Sequence, residues 1–250
     1  MSNFINFNLL IVKFFRFEEI FVLNEDFLKR PIPMKTNIEL LQPDSFYHIY
    51  NRGINGENLF KEERNYAYFL QKYARYIEPI AETYAYCLLK NHFHLLVYTR
   101  SEIAILKAKS DAKKEIFVQE TNPLENEKAA SLHLSNTFAS FFKSYAQSIN
   151  KAHHRTGRLF EEPFRRILVD NDTYFTELIY YIHHNPRRHG FVKDFRDYPH
   201  SSYHAHLHTA STKLKRDDVI NWFGNKVEFE KFHLSNQNLD NLDKFGIEFD

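Results

Sequence analysis

Residues Leu88 to Val97 read LLKNHFHLLV, an apolar run that carries two histidines one residue apart. Run lengths and composition of this kind fit a central β-strand, and side chains at i and i+2 of a strand leave the same face of the sheet. His92 and His94 therefore point together, with Cα atoms roughly 7 Å apart, while Phe93 points the other way. Two convergent imidazoles on a stiff platform suit a metal ion, although half-buried strands also carry histidine for packing alone.

The chain has 250 residues, 43% of them hydrophobic and 26% charged, which are values for a globular protein able to bury one substantial core. Its single cysteine, Cys87, excludes an internal disulfide and a cysteine-built zinc site. The apolar run Leu9 to Val12 stops at Lys13, far short of a membrane span, and a cytoplasmic protein without a membrane partner is expected. Charge is unevenly spread: residues 143–166 carry about +4 and residues 217–250 about −5. The basic stretch suits an anionic partner, and equally a solvated helix face.

Phe46 onward, FYHIYNRG, reads as a first strand and turn, with His48 and Tyr50 on one face and Tyr47 and Ile49 on the other. Tyr66, Phe69, Leu70, Tyr73 and Ile77 recur at helical spacing up to Pro79. Residues 83–89 and 92–99 read as either one long strand or two joined through Lys90-Asn91, and 101–128 as a charged helical connection. A second long helix runs from Ser131 to Ala152 with Leu134, Phe138, Phe141, Tyr145 and Ile149 along one stripe. Leu159 to Val169 reads as strand, and Thr173 to His184 as a helix closed by Asn185-Pro186, since the residue before proline resists helical geometry. Residues 1–33 read as an extension, either an added helix or translation upstream of Met34; residues 34–205 form the main domain and 206–250 a helical extension with an acidic tail. This order predicts an α+β fold in which an antiparallel sheet has helices on one side.

Tyr145 lies on an apolar stripe and is by periodicity a core residue. As a nucleophile its phenol, with a pKa of about 10, needs a cation or metal to help it attack. Adjacent histidines on a helix diverge by about 100°, so His153-His154 and His183-His184 suit polar or helix-end roles better than a second metal site.

Taken together, FYHIYNRG, NHFHLLV, SYAQSIN with HHRTGRLFEEPFRR, and YYIHHNP resemble the single-tyrosine HUH transposases, in particular the REP-associated tyrosine transposases, from about Phe46 to His204. The resemblance implies a ferredoxin-like HUH nuclease domain that cuts and rejoins single-stranded or hairpin DNA through a 5′-phosphotyrosine intermediate. It implies His92 and His94 as ligands of Mg2+ or Mn2+, Tyr145 as nucleophile, and a chain that acts alone or as a homodimer. The family commonly places a Gln or Asn ligand one helical turn after the tyrosine. Ile149 stands there; Asn150 is about 140° around the helix from Tyr145, so a distorted helix, Asn150 alone, or His48 or Gln147 completes the shell. Lys143, Lys151, Arg155, Arg158, Arg165, Arg166, Arg187 and Arg188 are expected phosphate contacts. The alternatives are a relative that binds structured DNA without cutting it and a metal-dependent nucleic-acid hydrolase that forms no covalent intermediate.

Overall fold

The computed structural model describes residues 39–115, 117 and 122–235. The expected extension over residues 1–33 and the end of the acidic tail lie outside these residues. Four strands, β1 (Phe46–Arg52), β2 (Ala81–Leu88), β3 (His92–Thr99) and β4 (Arg165–Val169), form one sheet in the order β2-β3-β1-β4. All three neighbouring pairs are antiparallel. With α1 (Glu63–Ile77) after β1 and α3 (Pro123–Ala152) before β4, this is the ferredoxin-like α+β topology expected from the sequence.

β3 is the buried centre of the sheet, and its alternation divides two cores. Phe93, Leu95 and Val97 join Ile49 beneath Phe69 and Tyr73 of α1 and Phe138, Phe141, Phe142 and Tyr145 of α3. α1 starts with a capping box between Glu62 and Asn65 and buries Asn65, Phe69, Tyr73 and Ile77, a stripe with a four-residue repeat. α3 begins eight residues before Ser131, because Asn122 caps it and Pro123 occupies its first turn, where no N–H is missed. A shorter α2 (Glu102–Lys113) precedes it.

The helical layer expected on one side is α1 with α3; the opposite face is covered as well. There α4 (Asp172–Arg188) packs with Phe175, Leu178, Ile179 and Ile182 against Phe46, Tyr50, Leu96, Ala85 and Cys87. Behind it lie α5 (Tyr203–Leu207), α6 (Arg216–Trp222) and α7 (Lys226–Ser235), so α4 is buried almost all round from Leu178 to Pro186. Two boundaries differ from the sequence reading. β4 spans only Arg165–Val169, since Pro163 can give no ladder hydrogen bond and the preceding segment crosses the end of β1, where Glu161 N–H donates to Arg52 O. α4 continues through Asn185-Pro186 to Arg188, because burial of this last turn outweighs the local preference of proline.

Gly53, just past β1, donates its N–H to Asn91 O, the residue before His92, at 2.8 Å. A Cβ here would lie 1.8 Å from Glu57 O. Gly53→Ala is therefore expected to destabilise the fold by roughly 1–3 kcal/mol through forced backbone movement. An unchanged denaturant midpoint would contradict that.

The C-terminal helices are joined to α4 by buried histidines. His183 Nδ1 lies 2.9 Å from His233 Nε2, His183 Nε2 lies 2.8 Å from Ser202 Oγ, and His233 Nδ1 donates to Phe229 O at 2.8 Å. Since His233 carries its proton on Nδ1, its Nε2 accepts from His183 Nδ1–H, and Ser202 donates to His183 Nε2. One chain of hydrogen bonds thus satisfies three polar side chains inside an apolar layer. Burial holds His206 down at about 4 and His233 at about 3, well below the value of about 6.5 in an unfolded chain. The unfolded chain therefore binds protons first as pH falls, and stability, full above pH 6.5, is lost on the way down. At pH 5.5 these two alone remove about 3 kcal/mol, so Tm falls by at least roughly 6–12 °C, the other buried histidines acting in the same direction. Calorimetry at pH 7.5 and 5.5 checks this; a flat Tm over that interval would contradict it.

Candidate metal centre and nucleophile

The sheet face toward α4 carries His48 and Tyr50 from β1 and His92 and His94 from β3. The register sets Tyr50 opposite His94 and Arg52 opposite His92, so the four rings form one patch. His48 Nε2 is 3.0 Å from His94 Nδ1, and Tyr50 stacks on His48 with centroids 4.7 Å apart. This contact fixes the orientation of the His94 ring, as partners behind metal-ligating histidines do. Burial lowers the pKa of His48 to about 3 and that of His94 well below its ordinary value, the neighbouring imidazoles adding to the effect at His94. Both rings are neutral at pH 7 and can offer lone pairs.

His92 sits between two amides. Its Nδ1 is 2.8 Å from Asn91 Oδ1 and its Nε2 is 3.0 Å from Asn185 Oδ1 on α4. A neutral imidazole has one N–H, so with both amide oxygens turned toward the ring, one side always brings two acceptors together. A second proton is the first remedy, but burial lowers the His92 pKa to about 3. Turning either amide by about 180°, which brings an N–H to the ring's lone pair, is the second, and a cation shared by ring and amide is the third. His92 Nε2 and Asn185 Oδ1, 3.0 Å apart, are close enough that one ion would be held by both. With the His94 ring 5.3 Å from that of His92, the side chains of His92, His94 and Asn185 are the candidates to hold a divalent ion. Among the described residues no cluster of three His, Cys, Asp or Glu side chains is arranged to hold a metal.

Tyr181 stands one turn before Asn185 on the same side of α4. Its ring meets His94 edge-on, with centroids 5.3 Å apart at 86°, and lies 6.2 Å from His48. Burial pushes its phenol up to about 12, while the Asn185 amide and the Arg188 guanidinium oppose that rise. The ring of His189, at the end of α4, is 4.7 Å from that of His92. Tyr181 is 2% exposed and His94 not at all.

The tyrosine and the third ligand chosen from the sequence are elsewhere. Tyr145 lies on the other face of the sheet, packed among Phe60, Tyr68, Phe69 and Phe160, and its hydroxyl donates to Leu59 O at 2.9 Å. The sheet separates it from His92 and His94, and burial raises its pKa. Asn150 is committed to the turn after α3: its Nδ2 donates to Gly157 O and its Oδ1 accepts from Arg155. Tyr145 and Asn150 are therefore not brought together with the histidine pair, while Tyr181 and Asn185 are. A signal for the latter was present, since Asn185 is at i+4 from Tyr181 within YYIHHNP.

The basic residues divide in the same way. Arg165 pairs in register with Tyr50, and Arg188, in the last turn of α4, lies over the Tyr181 ring, so these two border the centre, while Arg187 beside it reaches Asp194. Arg155 is held by Glu57, Arg158 by Glu162, and Arg166 lies over Phe164 on the α3 side with a hydrogen bond to Glu39 O. Lys143 and Lys151 are exposed on α3. Among the described residues no helix is long and apolar enough to cross a membrane.

No family model matches the chain, and no curated protein matches it. Among solved structures, a REP-associated tyrosine transposase bound to a REP hairpin is similar to it, with 14% identity and a TM-score of 0.47 over 69% of this chain and 84% of that one.

Proposed function

We propose that the protein cleaves and rejoins single-stranded DNA, with Tyr181 as nucleophile and His92, His94 and Asn185 holding a magnesium or manganese ion. The observation that carries the reading is the approach of Asn185 Oδ1 to 3.0 Å from His92 Nε2, with Tyr181 one helical turn earlier and its ring against His94. In this reading Tyr181 Oη attacks phosphorus in line, the new O–P bond replaces the bond to the 3′ oxygen, and that oxygen leaves as a 3′ hydroxyl after taking a proton. The phosphodiester energy stays in the 5′-phosphotyrosine, so rejoining needs no nucleotide cofactor. When bound, the ion offsets charge growing on the phosphoryl oxygens. The residues of this chain orient the phenol and keep it beside the histidines.

Incubation of the protein with labelled hairpin-bearing single strands and Mn2+ or Mg2+, followed by a denaturing gel, tests this. A slow-migrating, chelator-sensitive band is expected. One observation favours a second reading, binding of structured DNA without cleavage: Tyr181 and His94 are closed off from solvent. Tight binding across both metals without any adduct would support that reading.

A further inference from the structure

We propose that Arg188 is a catalytic residue that grips the nonbridging oxygens of the scissile phosphate while Tyr181 attacks; the inference rests on the function proposed above. Residues 181, 185 and 188 fall within about 60° of one another around an α-helix, so nucleophile, amide donor and guanidinium share one stripe of α4. Arg188 is exposed, and its guanidinium carbon lies 5.8 Å from the centre of the Tyr181 ring. Its charge is felt at Tyr181, His94 and His189 together. It therefore stands at the mouth of a buried site, between solvent and the phenol. A cation in the last turn of a helix is ordinarily explained by the helix dipole, and Arg187 satisfies that explanation equally well. The two differ in what they reach: Arg187 acts on Asp194, whereas Arg188 lies over the Tyr181 ring.

A guanidinium is always charged, and its planar fork matches two phosphate oxygens. As the Tyr181 O–P bond forms and the P–O3′ bond breaks, negative charge builds on those oxygens. The phenol proton passes to solvent and the departing oxygen takes one from water. A fixed cation at the oxygens gains more in that state than in the bound substrate, so the contact accelerates the step more than it tightens binding.

Single-turnover adduct formation at saturating DNA separates these effects. Arg188→Gln is expected to slow the saturated rate by about 10²–10³-fold, as loss of one donor to a developing oxyanion does, with Kd changed no more than about 3-fold. Arg188→Lys recovers part of the rate. Arg187→Gln, the comparison, weakens binding and reduces the salt slope by about one, and slows the saturated rate far less than Arg188→Gln does. On a strand whose scissile linkage is an uncharged methylphosphonate, the penalty of Arg188→Gln should shrink to a few-fold, which a merely structural role would not produce. A saturated rate for Arg188→Gln within about 3-fold of the parent, in a protein whose adduct is lost in Tyr181→Phe, would overturn the role of Arg188 alone. An adduct surviving Tyr181→Phe would overturn the reading beneath it and this role together.

Discussion

Tyr181→Phe is expected to abolish the covalent protein–DNA species, and Tyr145→Phe to leave it in place. Removing the Tyr181 oxygen removes the atom that would bond to phosphorus, and the ring stays to pack against His94. DNA binding should then remain within a few-fold of the parent. Removing the Tyr145 oxygen deletes one buried hydrogen bond, to Leu59 O, at a cost of about 1 kcal/mol in stability. The two phenols lie on opposite faces of one sheet, so neither can stand in for the other by a side-chain rotation. Denaturing gels of both variants, with Tm measured alongside, distinguish loss of chemistry from loss of fold. An adduct lost in Tyr145→Phe and kept in Tyr181→Phe would reverse the assignment.

Asn185→Ala is expected to weaken metal-supported cleavage by about 10²-fold or more, while Asn150→Ala leaves its metal dependence unchanged. The first removes the α4 oxygen that lies 3.0 Å from His92 Nε2. Loss of a partner behind a ligand commonly costs 10–100-fold in metal affinity, and loss of a ligand costs at least that. Asn185→Asp keeps an oxygen at the position and adds charge, so metal dependence should return. The second substitution breaks contacts to Gly157 and Arg155 at the end of α3, a matter of local stability. Titration of Mn2+ against cleavage rate reads both. A midpoint for Asn185→Ala equal to that of the parent would show that the amide holds no metal.

The face shared by His92 and His94 was legible because strand side chains alternate with period two and the run around them is apolar. The antiparallel α+β arrangement followed from the order of periodic segments. The partner helix was not legible. α3 and α4 are both amphipathic and both carry a tyrosine, and no periodicity tells which of them covers which face of a sheet. The rule that a ligand follows the tyrosine by one turn, applied to Tyr145, met Ile149; applied to Tyr181 it meets Asn185. The sequence reading ends that helix at His184, on the local preference of Asn185-Pro186, whereas packing around Leu178 to Pro186 carries the helix through to Arg188. Charge in the sequence likewise located eight basic residues without showing that Arg155 is held by Glu57 or that Arg166 lies on the far side of the sheet.

The most direct test is to digest the protein–DNA adduct formed on a hairpin-bearing single strand and locate the nucleotide by fragmentation mass spectrometry. The account predicts a phosphodiester on Tyr181, resolved from its neighbour Tyr180, whose ring stacks instead on His184 at 3.9 Å. A nucleotide on Tyr145 would contradict it.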